Sequence, residues 1–424
     1  MSHLKFAIGF LALYSVICLI GASGITYAEE LIPIEQLGKE LFFDENLSTP
    51  PGQSCAACHA PEAGFTGPDS YINATQAIYP GAVHTRAGNR KPPTAAYGGD
   101  SPVMYYDEIE GLWIGGMFWD GRATGWTLGD PLAEQALGPF LNPLEQNSPV
   151  ARLVLIRVAN SHYAGLFEEV WGPGSLDFKK DIAKTYERIG RSIAAYERSV
   201  EVNPFSSKFD LFWDNVGDEA TVKAINMSNW EDYKGQGLED NEVRGLALFN
   251  DETKGKCSLC HVLDSSSSGY PVFTDFTYDN LGIPKNPLNP FYSLPKKWNP
   301  DGWDWIDSGL GGFLATLDES FFISLGLDMT ANVNENHGKH KVPTLRNVDK
   351  RPYTEFVKSY GHNGYFKSLE AITHFYNTRD VEVWPPPEVA ENINTDELGN
   401  LGLTPEEEAA VVAFMRTLTD GYIP

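Results

Sequence analysis

The chain has 424 residues, enough for two domains, and carries a formal net charge of −25. Such an excess of carboxylates argues against a nucleic-acid partner and against binding to anionic lipid, while it would attract a basic protein. The alternative explanation of the negative charge is that it only keeps an exported protein in solution.

The first 28 residues have the pattern of an export signal. Lys5 supplies the positive start, an apolar run extends from Phe6 to Gly21, and Ala28 is a small residue at the expected cleavage position. The mature chain would then begin near Glu29 and fold in the periplasm. Because the apolar run is nearly long enough to span a bilayer, an uncleaved membrane anchor is the alternative.

Four of the five cysteines lie in two Cys-x-x-Cys-His motifs, which contain Cys55, Cys58 and His59, then Cys257, Cys260 and His261. This is the attachment motif of a c-type haem, because both sulfurs can bond to one porphyrin edge and the histidine can bind iron. A pair of redox Cys-x-x-Cys motifs or one split zinc site is the alternative, but neither requires both histidines. We predict two covalently bound haem c groups, with His59 and His261 as iron ligands.

A weak internal repeat predicts two haem domains in series. Leu41-Phe-Phe-Asp44 precedes the first motif and Leu248-Phe-Asn250 precedes the second, each as the expected end of a helix. We therefore divide the chain into the export signal over 1–28, an N-terminal haem c domain over 29–204 and a C-terminal haem c domain over 205–424.

Between the motifs, helices are predicted over 149–170 and 177–200. The second has apolar residues at three- and four-residue spacing, which predicts a buried stripe of Ile182, Tyr186, Ile189, Ile193 and Tyr196. Forty glycines, 28 prolines and few alternating apolar runs argue against an extensive sheet. The predicted class is a mostly α fold of two c-type cytochrome-like haem domains with long irregular loops.

The last helix is predicted to begin after Thr404. Pro405 suits its first turn and Glu407 would complete a capping box with Thr404. Its predicted buried face consists of Ala409, Val412, Phe414 and Leu418.

Two segments between the haem motifs narrow the class of haem protein. They are Phe118-Trp-Asp-Gly-Arg122 and the run from Glu134 to Glu145. Together with both haem motifs, Val342–Asn347 and Gly361–Gly364, they make nearly the whole mature chain resemble the bacterial dihaem cytochrome c peroxidase and MauG family.

The resemblance implies roles for five residues. His59 would be the proximal ligand of the peroxide-binding haem, and Glu145 would be the distal carboxylate. Gln135 and Pro139 would line the same distal pocket, and Trp119 would lie between the two haems. A carboxylate above an open iron can move the proton that cleavage of a peroxide O–O bond requires. The structural alternatives are that Glu145 caps a helix start and that Trp119 only packs.

The second iron ligand is predicted to differ between the two haems. His84 lies on a Gly/Pro-rich loop, where it is either a displaceable ligand of the first iron or a surface histidine.

At the second haem the peroxidases are expected to use a methionine fourteen residues after a histidine that corresponds to His362. This chain has Tyr376 there, as in the MauG pattern. A phenolate favours oxidised iron where a thioether favours reduced iron; His374 and Met329 are the alternatives.

The resemblance also leaves a calcium ion open. Many family members hold one between their domains through an Asn side chain and backbone carbonyls. Here Lys91 stands where that Asn is usual, Asn89 is close but shifted, and the carbonyl segment is Phe356–Tyr360. Carbonyl ligands need no particular side chain, so the sequence alone does not decide.

The resemblance implies an enzyme that reduces hydrogen peroxide at the His59 haem with electrons from a small electron-carrier protein. MauG-like oxidation of Trp or Tyr in a protein substrate is the alternative that Tyr376 favours. A non-catalytic dihaem electron-transfer cytochrome is the alternative from another class, and the segment ending at Glu145 argues against it. The sequence leaves open whether the chain forms a homodimer.

Overall fold

The computed structural model describes residues 30–424, so the predicted export signal lies outside the described residues. Within this range the fold is mostly α, as predicted. The helices are α1 (Pro33–Phe43), α2 (Ser70–Ala74), α3 (Pro131–Leu141), α4 (Ala151–Ala159), α5 (Ala164–Trp171), α6 (Ile182–Glu197), α7 (Lys208–Val216), α8 (Glu219–Lys223), α9 (Asp240–Asn250), α10 (Gly309–Leu314), α11 (Glu319–Ser324), α12 (Met329–Glu335), α13 (Leu369–Thr378) and α14 (Pro405–Arg416).

The described strands form two short antiparallel pairs. β1 (Tyr105–Asp107) pairs with β2 (Leu112–Ile114), and β3 (Tyr278–Asp279) pairs with β4 (His340–Lys341). Long irregular segments connect most of the remaining elements, as the glycine and proline content predicts. None of the helices between residues 30 and 424 is both long enough and apolar enough to cross a membrane.

Each haem motif follows a helix that crosses a partner helix at a glycine. A Cβ on Gly38 of α1 would lie 1.9 Å from the carbonyl oxygen of Ser192 on α6, and one on Gly245 of α9 would lie 2.0 Å from that of Ala410 on α14. Only glycine allows either crossing, because a side chain would overlap the backbone of the partner helix. The two helices end at Phe43 and Asn250, as the internal repeat predicts.

The apolar core forms around these two crossings. The first large cluster is built from residues between Leu37 and Val202, joined by Val272. The second draws on residues between Phe209 and Leu418. A smaller cluster, which includes Trp113 and Phe322, joins β2 to α10 and α11. The domain boundary between 204 and 205 remains a prediction, although the clusters divide near it.

Several helix predictions need correction. The segment 149–170 forms two helices, because Asn160 and Ser161 donate side-chain hydrogen bonds to the carbonyls of Ile156 and Val158 and so end α4. In α6 the stripe is buried at Ile189, Ile193 and Tyr196 and half-buried at Tyr186, whereas Ile182 is the exposed first residue.

The capping box of the last helix is confirmed. The Glu407 N–H donates to Thr404 Oγ1 at 3.3 Å, and the Thr404 N–H donates to Glu407 Oε2 at 2.8 Å. Val412, Phe414 and Leu418 are buried. Ala409 is exposed, and its neighbour Ala410 takes the buried position against α9.

The glycine crossings give a stability prediction. Gly38→Ala and Gly245→Ala should each lower the free energy of unfolding by about 2 kcal/mol or more, because the helices must separate to admit a methyl group. Gly165→Ala is the matched control, since nothing lies within 4 Å of its Cβ position on α5 and alanine favours a helix. Chemical denaturation of the three variants tests this, and equal midpoints for all three would contradict it.

Candidate haem sites

The two Cys-x-x-Cys-His motifs fold in the same way. Cys55–Ala57 and Cys257–Leu259 each form one 3₁₀ turn. The His59 N–H donates to the Cys55 carbonyl at 3.0 Å, and the His261 N–H donates to the Cys257 carbonyl at 2.9 Å. Each turn therefore presents two sulfurs and an imidazole to one cavity, the first motif to one cavity and the second motif to another.

Both histidines are held in the form that binds a metal. Nδ1 of His59 lies 3.2 Å from the Phe65 carbonyl oxygen, and Nδ1 of His261 lies 2.9 Å from that of Phe273. Burial lowers the pKa of each imidazole to about 4, so both rings are neutral near pH 7. With Nδ1–H donated to a carbonyl, Nε2 keeps its lone pair for a metal.

The four thiols complete a donor set that fits haem c. Cys55, Cys58, Cys257 and Cys260 are unpaired and half-buried. Burial raises the pKa of Cys58 and Cys257 to about 12, so both are neutral thiols before they react. Thiols three residues apart, a fixed imidazole and an adjacent cavity match what each covalent haem would need.

The first cavity brings together most of the residues that the sequence predicts for it. His59, Trp119, Gln135, Pro139 and Glu145 all line it. Gln135 and Pro139 are four residues apart on α3 and therefore share a face of that helix. Three of these side chains thus come from α3 and from the turn that follows it, and they share the cavity with His59.

Glu145 is fixed by its backbone. Its N–H donates to the Asn142 carbonyl at 3.1 Å, and its own carbonyl accepts from the Ala82 N–H at 2.7 Å. Burial raises the pKa of the Glu145 carboxyl, while Arg122 and Asn142 act in the opposite direction. The carboxyl does not cap a helix start, because α4 begins after Val150. A carboxyl of raised proton affinity therefore faces the cavity of the first motif.

Trp119 lies in the wall that the two cavities share. Its indole N–H donates to the Lys91 carbonyl at 2.9 Å, and its own carbonyl accepts from the Lys341 N–H at 2.8 Å. Lys91 follows the first haem motif and Lys341 follows the second. Both halves of the chain therefore fix the orientation of this indole.

His84 is not brought to the first cavity. Its side chain is exposed, and it lies outside the residues that line the cavity. The structure therefore offers His84 no contact with the first site, and a role as an iron ligand would require its loop to move.

Tyr376 lies on α13 and lines the second cavity with Cys257, Cys260 and His261. Burial raises the pKa of its phenol. His374, one of the two alternatives, is turned toward Glu408 at 3.0 Å and Glu382 at 3.4 Å and does not line the cavity.

Met329, the other alternative, packs with the small third cluster. Of the three ligand candidates that the sequence offers, Tyr376 is the one that lines the second cavity.

Sequence reasoning missed a second repeat, Lys-x-Pro-Thr, at Lys91–Thr94 and at Lys341–Thr344. The Thr94 hydroxyl donates to the Gly64 carbonyl at 2.9 Å, and the Thr344 hydroxyl donates to the Val272 carbonyl at 2.6 Å. Each threonine thereby ties its segment to the backbone one residue before the carbonyl that holds the histidine. The Lys-x-Pro-Thr pattern recurs after each haem motif, and this recurrence could have identified the two threonines from the sequence.

A buried ionic network that the sequence did not reveal holds the Trp119 segment in place. Arg90 pairs with Asp307 through two hydrogen bonds of 2.6 Å and with Asp120 at 2.6 Å. His340 lies 3.3 Å from Asp307 and stacks on His362 with ring centroids 3.6 Å apart. The network links the loop around Trp119 to segments from the second half of the chain.

The place expected for calcium does not fit that ion. The carbonyl of Phe356 accepts from Arg351 at 3.0 Å, and that of Val357 accepts from the Asn73 side chain at 3.0 Å. Lys358 belongs to this segment and Lys91 stands where the Asn is usual; both lysines are buried, and the charge of Lys91 acts on Lys358. Calcium binds six to eight oxygen atoms, several of them usually anionic, and positive side chains repel it.

Comparisons with known proteins agree with one another. Residues 33–218 match a family model described as di-haem cytochrome c peroxidase. The chain is 32% identical to the methylamine utilization protein MauG of Paracoccus denitrificans over 95% of this chain and 93% of that protein. It is 26% identical to cytochrome-c peroxidase IdrP1 of Denitromonas iodatirespirans over 90% of this chain and 80% of that protein.

A similar fold occurs in the crystal structure of the diheme peroxidase BthA from Burkholderia thailandensis. The TM-score is 0.67 at 28% sequence identity, and the match covers 92% of this chain and 87% of that chain.

The donor set gives a prediction about cofactor content. Replacement of both Cys257 and Cys260 by serine should lower covalent haem from two groups to one per chain, because the second cavity loses both attachment points. Pyridine haemochrome absorbance per mole of purified chain measures this ratio. Cys18→Ser, in the predicted export signal, is the control and should retain two groups; a double variant that also retains two would contradict the assignment.

Proposed function

The chain belongs to the dihaem cytochrome c peroxidase and MauG family of haem oxidoreductases, and on that premise we propose that it is a periplasmic peroxidase. It would reduce hydrogen peroxide to two waters in the first cavity, with two electrons from a protein donor and two protons. The electrons would enter through the half that carries His261. The observation that supports this proposal is the Glu145 carboxyl, which faces the same cavity as His59 and has a raised pKa.

When bound through Cys55, Cys58 and His59, the haem supplies the iron that binds peroxide and exchanges electrons with it. The surrounding side chains handle the protons. Glu145, as carboxylate, would accept a proton from one oxygen of the peroxide and return it to the other oxygen, which leaves as water. Gln135 and Pro139 shape the pocket beside it and limit how peroxide can be oriented.

The half that carries His261 would act as the electron store. Trp119 lines both cavities and is fixed from both halves, and on this proposal it would pass electrons between them. The net charge of −25 would attract a small basic electron-carrier protein as the donor.

MauG-like oxidation of Trp or Tyr residues in a partner protein is the second candidate. Tyr376 favours it, because an anionic oxygen ligand would make the second haem harder to reduce and better suited to holding oxidising equivalents. The 32% identity to a MauG protein is in line with this candidate. Both candidates share the peroxide step at Glu145 and differ in what supplies the electrons.

The peroxide step gives a prediction about Glu145. Glu145→Gln should slow the reaction of the ferric protein with stoichiometric peroxide by about 100-fold or more, since an amide cannot take up the proton. Stopped-flow absorbance measures the rate. Glu62→Gln, an exposed residue near the first motif, is the control and should react as wild type does. Two low-spin haems inert to peroxide in the wild type would instead identify a plain electron-transfer cytochrome.

The same carboxyl predicts a pH dependence. Because burial raises the pKa of Glu145, the carboxylate form is lost on acidification at a higher pH than for an ordinary glutamate. The peroxide rate of the wild type should therefore fall as the pH drops through that raised pKa. In Glu145→Gln this inflection should be absent, and its persistence would assign it to another group.

Substitution of Tyr376, the proposed second ligand of the second haem, tests which of the two candidate functions applies. Tyr376→Met should raise the reduction potential of the second haem and maintain or increase turnover with a reduced basic cytochrome, because a thioether favours reduced iron. Spectroelectrochemistry and a cytochrome oxidation assay measure the two effects. His374→Ala is the control and should leave the potential unchanged. Rapid cytochrome turnover by the wild type would favour the peroxidase over the MauG-like candidate.

A further inference from the structure

Lys358 joins the two halves of the chain through backbone carbonyls. Its ammonium group donates to the carbonyl of Ala63 at 2.9 Å, of Asn347 at 2.8 Å and of Lys350 at 3.2 Å. Ala63 belongs to the turn after the first haem motif, whereas Asn347 and Lys350 follow the second. We call these three carbonyls and Lys358 Nζ the carbonyl seam. The side chain is 3% exposed, so water does not replace these contacts.

The contacts in the seam require the protonated form of Lys358. Burial and the charge of Lys91 lower the pKa of this lysine. Three carbonyl oxygens surround Nζ, however, and carbonyls only accept hydrogen bonds. A neutral amine has two hydrogens and would point its lone pair at the third oxygen, whereas an ammonium satisfies all three. Asp349, which lies near enough to favour the charge, adds to this preference.

Lys91 adds a second amino group close to the seam. It is 9% exposed, and its Nζ has one long hydrogen bond, to the Pro92 carbonyl at 3.2 Å. Burial lowers the pKa of Lys91 to about 8, so most of it is charged at pH 7. The Lys91 backbone carbonyl also accepts a hydrogen bond from the Trp119 indole N–H. Lys91 therefore adds a positive charge between the cavities and also helps to orient the indole.

A divalent ion would meet three obstacles here. It would have to enter beside two buried positive charges, in a region where the nearby carbonyls of Phe356 and Val357 already accept protein hydrogen bonds. To bind at the seam itself, it would also have to displace Lys358 from the carbonyls of Ala63, Asn347 and Lys350. The Lys358 ammonium already gives each carbonyl oxygen a positively charged partner. A calcium ion would first have to lose bound water to take that place.

We propose that this chain takes no calcium ion between its halves, because the Lys358 ammonium, with Lys91 beside it, is the permanent cation of the carbonyl seam. The geometry around Trp119 would then be independent of calcium supply and insensitive to chelators. This holds for either candidate reaction, since neither the peroxidase nor the MauG-like activity enters the argument.

Metal analysis of the wild-type holoprotein tests the proposal directly. The protein is equilibrated with millimolar calcium chloride, desalted and measured by inductively coupled plasma mass spectrometry. Well under one calcium per ten chains is expected, and EDTA should leave the melting temperature and the ferric spectrum unchanged. Stoichiometric calcium that survives desalting, with a melting temperature that falls on chelation, would overturn it.

A pair of variants tests the role of the ammonium. Lys358→Met should lower the melting temperature of the holoprotein by about 3 °C or more, because three buried carbonyls lose their donor. Lys296→Met is the control, since that lysine is exposed, and should melt as wild type does. If the two variants melt alike, Lys358 is not the cation of the seam. If Lys358→Met does not fold, the wild-type metal analysis still decides.

Discussion

The hydrogen bond from each histidine to a backbone carbonyl is the constraint on which both sites depend. It fixes which nitrogen of His59 and His261 can face a metal, and it can form only if the carbonyls of Phe65 and Phe273 are held in place. Thr94 and Thr344 secure the adjoining backbone, and the 3₁₀ turns set each histidine relative to its two cysteines. A buried imidazole without such an acceptor would lack a defined tautomer and orientation.

The two halves share this local structure and differ in the other side chains that line each cavity. α3 and the turn after it bring Gln135, Pro139 and Glu145 to the first cavity, whereas α13 brings Tyr376 to the second. Glu145 gives the first cavity a carboxyl that could take up and return a proton, whereas Tyr376 gives the second cavity a phenol that could serve as an oxygen ligand. Trp119 lines both cavities, and its backbone and side chain are held from opposite halves of the chain.

The sequence predicts best what depends on local pattern. Both haem motifs, the capping box at Thr404 and the mostly α class follow from spacing and composition. The break at Asn160 depends on side-chain hydrogen bonds that compete with the helix, and periodicity does not register them. The loop that carries His84 is rich in glycine and proline, which is compatible with a displaceable ligand. The side chain is nevertheless exposed, because its position depends on the tertiary path of that loop. The burial of Lys91 and Lys358 is invisible in the sequence, because lysine is ordinarily a surface residue.

The hydrogen bond of Trp119 has a consequence for how charge moves through the molecule. The acceptor of its indole N–H is the carbonyl of Lys91, a group that has no appreciable basicity. In the proposed function, an indole that gave up an electron there would have a carbonyl rather than a base as its hydrogen-bond partner and would keep its proton. Electron transfer through Trp119 would then be uncoupled from proton transfer. The proton transfers proposed for Glu145 would take place at a different side chain, so electrons and protons would follow separate routes through the molecule.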